Sequence, residues 1–408
     1  MSRSTREELL PRLRQRYVNR GRKGRSLLVD EVCEQWGYSR KHALKLLNGK
    51  AGWGGDPDRV QGRPVVYGPE VKVVVGQIWL AAEQVCGKRL KALLKLWLPY
   101  YEEEYGPLRE AVRRKVLRAS AATLDRLLKP MRVKHPHRGI SGTRPGTLLR
   151  SQIPIRTGNW DIERPGYIEA DTVAHCGESL AGDFIWSVTY TDIYSGWTAT
   201  RAIWNRGQEG VLNRTREVEE ELPFPILGFD SDNGGEFLNW HLAGYFWKRD
   251  KPVEFTRSRS YHKDDNGHVE QKNWTRVRQL LGYDRLEDPL LVDQINALYR
   301  DCWDPLHNLF LPSAKLKESY REGSRWVRRH HDPKTPCDRL IQSRQISAQT
   351  RRDLIALRAS INPLKLKRQI EHRLRKIFTS VQRSGRPPGS LHAGPKTCQS
   401  PHLEVLSP

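Results

Sequence analysis

The sequence predicts an α/β protein: a mixed sheet with helices on its faces, preceded by an all-helical basic region and followed by basic helices. Three observations carry this. From Trp160 the apolar pattern changes from helical spacing to short strand-like runs bounded by Gly, Asp and Asn. These runs alternate with helical stretches as three strands, helix, strand, helix, strand, helix, which implies a mixed sheet. Before Trp160, and again after residue 325, the pattern is helical and rich in Lys and Arg.

Residues 1–50 read as a first helical unit. Ser4 and Glu7 have the spacing of a capping box, with Pro11 in the second turn of the helix they open. A helix over 27–35 turns Leu28, Val32 and Cys33 inward. Gly37-Tyr38 makes the turn, Ser39 caps a helix over 40–47, and Gly49 closes it. Ala43, Leu44 and Leu47 share one face, and Arg40, Lys41 and Lys45 the other. This is helix-turn-helix spacing with a basic second helix, suited to a major groove, although an ordinary helical hairpin shares the pattern.

A second helical unit, 65–130, follows a Gly/Pro-rich break. Helices are expected over 69–84, ended by Gly87, and over 88–98, stopped by Pro99. A helix over 108–117 and one over 121–128 capped by Ser120 repeat the helix-turn-helix look, with Arg126 and Lys129 as exposed cations. Residues 131–158 are basic and aperiodic, a linker able to track phosphates.

The core is expected over 159–325. Strands over 166–173, 184–191 and 197–204 come first, the last two paired as a hairpin around Asp192-Ile-Tyr-Ser-Gly196. A helix over 207–220, a strand over 225–229, a helix over 236–247, a strand over 253–256 and a helix over 266–281 follow. Residues 291–303 continue helically and the chain to Ser313 reads as extended. A basic helical C-terminal region, 326–382, breaks at Asn362-Pro363, and 383–408 is a low-complexity tail expected to be disordered.

Composition bounds the function. Among 408 residues, Lys+Arg number 70 and Asp+Glu 47, a net charge of +23. That excess suits a polyanion, and without an amphipathic lipid-binding pattern it favours nucleic acid. The 6 cysteines are scattered, with no CxxC pair and no zinc spacing, as expected of reduced thiols in the cytosol. The N-terminus has no apolar signal core, and the most apolar stretch, 71–82, is too short to span a bilayer. A cytoplasmic protein without a membrane partner is expected.

The chemistry centres on residues 226–237, ILGFDSDNGGEF. A short buried strand runs into carboxylates and turns through glycine. Strand ends tolerate carboxylates where strand interiors do not, and ligands gather there. Asp171 lies in the second half of the first strand, sharing a face with Glu169. Glu270 lies on the helix that follows His262-Lys-Asp-Asp-Asn-Gly-His. Asp171, Asp232 and Glu270 are therefore read as one metal-binding triad. Three carboxylates supply the oxygens and charge that hard divalent cations need, and two such ions about 3.5–4 Å apart can clamp both oxygens of a phosphoryl displacement. Asp230 remains an alternative to Asp232, and Glu236 a weaker one to Glu270. Asn273 and Trp274 share the Glu270 face and point toward substrate, while Lys272 and Arg276 flank it within reach of DNA phosphates.

These residues resemble the DDE transposase and retroviral integrase superfamily, in particular bacterial insertion-sequence transposases. The family pattern is an Asp on the first strand, Asp-Asn-Gly after the fourth, and a Glu on a later helix. Here these are Asp171, Asp232-Asn233-Gly234 and Glu270, with Asn266-Gly267 leading into the Glu, over a stretch from Trp160 to about Gly323. The retroviral His/His/Cys/Cys zinc module is absent from this sequence. The resemblance implies a ribonuclease H-like core binding two Mg²⁺ ions, with Mn²⁺ as substitute. Its implied activity is DNA integration and recombination: cleavage of element ends, then attack of the freed 3′-hydroxyl on target DNA. Implied partners are double-stranded DNA, both terminal inverted repeats and target, and further copies of the chain in a homo-oligomer. The implied location is bacterial cytoplasm, at the nucleoid when DNA-bound. The N-terminal helices would recognise the ends and the basic C-terminal region would grip the target. The residues leave open a DNA-binding protein that no longer catalyses, and a metal-dependent nuclease that never joins ends.

Overall fold

The computed structural model describes residues 3–49, 66–134, 162–231, 236–237, 239–257, 272–322 and 324–383. The chain divides into two compact units, Met1–Val66 and Tyr67–Pro408. Of the linker expected over 131–158, residues 131–134 instead continue the helix Ala121–Lys134 and the rest lies outside the described residues, as do residues 384–408 of the expected tail. Among the described residues no helix is long and apolar enough to cross a membrane.

The first unit holds helices α1 (Arg3–Val18), α2 (Arg22–Trp36) and α3 (Arg40–Leu47). Leu10, Tyr17, Leu28, Val29, Val32, Trp36, Ala43, Leu46 and Leu47 are its core. Gly37, at φ +69, sends its N–H to the Cys33 carbonyl and ends α2 as a left-handed cap. Two expectations are corrected. Ser4 lies inside α1, so it is not the cap of that helix. The core face of α3 is wider than expected: Leu46 is buried with Ala43 and Leu47, while Leu44 is half-buried and packs against them.

The second unit opens with α4 (Pro69–Ala81), α5 (Gly87–Tyr105), α6 (Glu110–Arg118) and α7 (Ala121–Lys134). Gly87 starts α5 rather than ending a helix, and α5 runs through Pro99 where the sequence predicted a stop. The turn falls at Glu83 and Gln84, at φ +56 and +52. Proline in a helix costs one hydrogen bond and a clash. Here burial of Trp97, Leu98 and Tyr101 around Pro99 outweighs it. Trp97 Nε1 donates to the Phe310 carbonyl at 3.1 Å, so these helices share one apolar core with the sheet.

The sheet is built from β1 (Tyr167–Ala174), β2 (Ile185–Asp192), β3 (Thr198–Trp204), β4 (Gly228–Ser231) and β5 (Glu254–Arg257), in the order β3-β2-β1-β4-β5. β2 runs antiparallel to β1 and β3, while β4 is parallel to β1 and to β5. The expected mixed sheet is therefore what forms. Helices α8 (Gln208–Glu221) and α9 (Trp240–Trp247) connect β3, β4 and β5. Next comes α10, with Asn273–Arg278 in wide π-type turns and Gln279–Leu281 in α turns. In α11, Leu291–Leu298 continues through π-type turns at Tyr299–Trp303 and Leu306–Phe310. The chain was expected to be extended here. It stays helical because Leu306, Leu309 and Phe310 are fully buried in the core.

A hairpin of β6 (Leu316–Glu322) and β7 (Arg325–His330) occupies a stretch read as the edge of a helical region. Helices α12 (Pro336–Gln342), α13 (Ala348–Ser360) and α14 (Pro363–Arg383) finish the described chain, broken at Asn362-Pro363 as predicted.

The two faces of the sheet differ in chemistry. One carries Ile168, Ala170, Val188, Tyr190, Phe229 and Phe255, and meets α8 and α9; Phe229 lies 4.8 Å from Phe246 between ring centroids. The other carries Glu169, Asp171, Ser187, Thr189, Thr191, Thr198 and Thr200, and meets α10 and α11. β3 is an edge strand, yet its outer backbone groups are paired by side chains of α11. Thr198 N–H donates to Asn308 (3.0 Å), Thr200 N–H to Asp304 (2.8 Å) and Ala202 N–H to Asn296 (2.7 Å). Asn308 and Asn296 return bonds to the Thr198 and Ala202 carbonyls. The edge is thus closed to further strands.

Candidate metal and nucleic-acid site

Asp171 sits in the central strand, opposite Thr189 of β2, on the polar face. It is partly exposed while Glu169, Ala170, Thr172 and Val173 around it are buried. Its Oδ1 accepts from the Thr172 N–H at 2.7 Å and its Oδ2 from Asn273 Nδ2 at 2.5 Å. Thr189 donates to Asn273 Oδ1 at 2.7 Å, which turns the amide nitrogen toward Asp171. A carboxylate oxygen carries two lone pairs, the donor chemistry a hard cation takes.

Asp232 and Glu270 lie outside the described residues, as do Asn233, Gly234, Asn266 and Gly267. Among the described residues no three His, Cys, Asp or Glu side chains converge as a metal site. The two weighed alternatives are described. Asp230 pairs in register with Glu169, is fully buried and accepts from Thr256 Oγ1 at 2.6 Å. Glu236 accepts from Thr172 Oγ1 at 2.9 Å and pairs with Arg206. Thr172 points to the sheet face opposite Asp171, so Glu236 is a structural carboxylate beneath α8 and α9 and cannot join Asp171.

The cations divide. Arg276 is only 2% exposed. Its guanidinium donates to Asn308 at 3.0 Å and lies 4.0 Å from Asp304, and burial pushes its pKa down to about 10. The expectation that it touches DNA phosphates is corrected: the widened turns of α10 direct it inward, where it braces the α11 side chains that seal β3. Burial raises Asp304 to about 6, against the pull of Arg201 and Arg276. Lys272 stays partly exposed; burial, and then Arg276, Arg89, Arg339 and Lys315, hold its ammonium well below the usual lysine range. Trp274 lies near Tyr283, ring centroids 6.5 Å apart.

In the first unit Arg40, Lys41 and Lys45 are exposed on α3 as expected. Arg40 is tied to Asp30 and donates to Ser26 at 2.6 Å. Arg126 and Lys129 are exposed on α7, with Arg126 donating to Ala122 and Thr123 of its own helix. The basic C-terminal helix meets acids: Lys365 pairs with Glu103 (3.0 Å), Arg368 with Glu104 (2.6 Å) and Arg373 with Asp301 (3.0 Å).

Sequence reasoning missed Thr189, although the alternating Ser187, Thr189 and Thr191 signal a polar sheet face. It also missed Lys315 and Arg339, whose approach to the β2–β3 turn depends on contacts over 100 residues apart in the chain.

Among solved structures, the chain is similar to the HTLV-2 integrase catalytic core domain in complex with magnesium: 15% identical, TM-score 0.27, covering 36% of this chain and 90% of that one. It is also similar to a simian T-cell lymphotropic virus intasome in complex with the PP2A regulatory subunit B56 gamma: 14% identical, TM-score 0.26, covering 45% of this chain and 59% of that one. Both likenesses are too slight to carry weight. No family model matches the chain. A curated protein of Sinorhizobium fredii, named "Uncharacterized protein y4rM", is 38% identical over 343 residues, which are 83% of this chain and 96% of that protein. At that identity and coverage the chain belongs to the same family as y4rM.

Proposed function

We propose that the chain is a DNA-integrating enzyme of the transposase type, a metal-dependent polynucleotidyl transferase with a ribonuclease H-like core. The observation that carries the reading is the hydrogen bond from Asn273 to Asp171. It brings α10 against the only partly exposed carboxylate among Glu169, Asp171 and Asp230. Glu270 precedes Asn273 by three residues, the i, i+3 spacing of one helix face. Asp232 is one peptide bond from Ser231, whose register partner Ala170 is one peptide bond from Asp171. Both links favour a single triad of Asp171, Asp232 and Glu270.

The all-oxygen donor set suits Mg²⁺ or Mn²⁺ rather than zinc or copper. Bound there, two such ions would supply charge neutralisation at the phosphate and a lowered pKa for the attacking hydroxyl. The chain's own residues do the rest. Asn273, fixed by Thr189, orients Asp171. Lys272 meets a backbone phosphate. In the first step water attacks the phosphodiester, the P–O bond to the 3′-oxygen breaks, and a proton completes the 3′-hydroxyl. In the second, that hydroxyl attacks a target phosphodiester, expelling another 3′-hydroxyl, with no covalent protein intermediate. The exposed cations of α3 in the first unit and, separately, those of α7 in the second are proposed to read the ends.

The test is a joining assay with Mg²⁺ and duplex DNA carrying the terminal repeats that flank the reading frame. Asp171→Asn, Asp232→Asn and Glu270→Gln should each abolish joining. Wild-type joining by any one of them overturns the triad. Hydrolysis without joining by the wild type would assign a nuclease instead.

A further inference from the structure

We infer that Lys272, Arg339 and Lys315 form an anion socket at the β2–β3 turn and that it takes a backbone phosphate of DNA. The DNA source rests on the proposed function; the socket itself rests on geometry. Gly196 stands at φ +75 in the turn. A Cβ built there would lie 3.5 Å from Arg339 Nη1 and 3.9 Å from Lys272 Nζ, so two cationic heads share one small gap over a residue with no side chain.

The surrounding cations are held by neutral oxygens. Lys315 Nζ donates to the Ile193 carbonyl at 2.8 Å and also to that of Tyr194. Arg339 Nη1 donates to the Ser195 carbonyl at 2.8 Å and to Ser313 Oγ at 3.0 Å. Arg89 donates to the Pro312 carbonyl at 2.5 Å. Carbonyls fix these heads in place without cancelling their charge. Arg276, Arg89, Arg339 and Lys315 all repel the Lys272 ammonium.

The nearby acids are bonded mainly to other groups, although Asp192 still attracts Lys315 and Asp338 attracts Arg339. Asp192 accepts from Ser195 N–H at 2.6 Å and Gly166 N–H at 2.8 Å. Asp338 caps α12 through Thr335 and pairs with Arg358. Asp304 serves Arg201, Arg276 and Thr200. In contrast with α14, where Lys365, Arg368 and Arg373 each meet a carboxylate, Lys272, Lys315 and Arg339 form no ion pair among the described residues, which leaves room for a phosphate as counter-charge.

Guanidinium and ammonium together suit a phosphate, the fork for geometry and the point charge for attraction. Lys272 adjoins Asn273, which holds Asp171, so the socket is continuous with the proposed metal site. It would grip the strand beside the reacting phosphodiester.

The experiment uses the full chain and two probes, with no divalent metal present. Melting is followed in sodium phosphate and in sodium chloride at matched ionic strength. The wild type should melt several degrees higher in phosphate. Lys272→Met should melt above the wild type in chloride, since one repelling charge is gone, and should lose the phosphate response. Duplex DNA binding is then followed against salt. Lys272→Met should flatten the slope of log K against log salt by about 0.9, one phosphate contact. A phosphate response kept by Lys272→Met overturns the socket. A lost response with an unchanged DNA slope overturns the DNA assignment and leaves free phosphate as ligand. Asp171→Asn should keep both signatures, so failure of the triad is read separately from failure of the socket.

Discussion

Asn273 reaches Asp171 from a different element and holds it at 2.5 Å, with Thr189 holding Asn273 in turn. This three-residue relay fixes the carboxylate before any ligand arrives. A group that orients a metal-binding carboxylate commonly contributes 10- to 100-fold in affinity or activity. Asn273→Ala should therefore lower Mg²⁺-dependent joining by about 10- to 100-fold. The loss should shrink as Mg²⁺ is raised, because the residue positions rather than reacts. An Asn273→Ala enzyme with wild-type Mg²⁺ dependence would count against the relay.

The sealed edge of β3 makes a stability prediction. Asn296 both accepts from and donates to Ala202, and both residues are buried. Asn296→Leu fills the space but leaves the Ala202 N–H and C=O buried without partners. The expected cost is about 2–4 kcal/mol, since each orphaned group carries its desolvation penalty. It is read as a lower urea midpoint with an unchanged denaturant slope.

How far the sequence was legible depends on the range of the interaction. The β2–β3 hairpin announces itself through Asp192 to Gly196, because turn chemistry is local. The strand–helix order follows from periodicity, again local. The failures are tertiary. Pro99 signals a stop and the chain after Trp303 reads as extended, yet burial of Trp97 in one place and Leu306 in the other carries helix through both. Arg276 looked like a surface cation by spacing, but widened turns in α10 rotate it under the sheet. Asp171 was legible as a strand carboxylate. Its hold by Asn273 was not, because 102 residues separate the two.

Helix α3 bears on end recognition. Arg40 is engaged by Asp30 and Ser26, whereas Lys41 and Lys45 are exposed. If α3 meets DNA, Lys41→Ala and Lys45→Ala should each weaken binding uniformly across sequences and reduce the salt slope by about 0.9. Asp30→Ala, which releases Arg40, should steepen the slope. Slopes unchanged in all three variants would remove α3 from the interface.

The buried titratable groups set the acid response, and two of them work in opposite directions. His175 is fully buried, bonded through Nε2 to Ser187 at 2.8 Å, and burial followed by Arg278 lowers its pKa to about 3. Between its ordinary value near 6.5 and about 3 the unfolded chain binds the proton and the folded chain does not. Its contribution is therefore present above about pH 6.5 and is lost as pH falls, at up to about 1.4 kcal/mol per unit. His307, also held well below its ordinary value by burial and neighbouring cations, acts in the same sense. Asp304, raised to about 6, does the reverse: the folded chain holds its proton longer, so its contribution is present at low pH and lost as pH rises through 6. The wild-type profile between pH 4 and 6 is thus a partial cancellation. His175→Gln removes one side of it while keeping a polar group at Ser187. Relative to wild type, the variant should gain stability on acidification from pH 6 to pH 4. Urea midpoints at pH 7, 6, 5 and 4 measure this. Parallel profiles for the two proteins would mean that His175 takes up its proton without unfolding the chain.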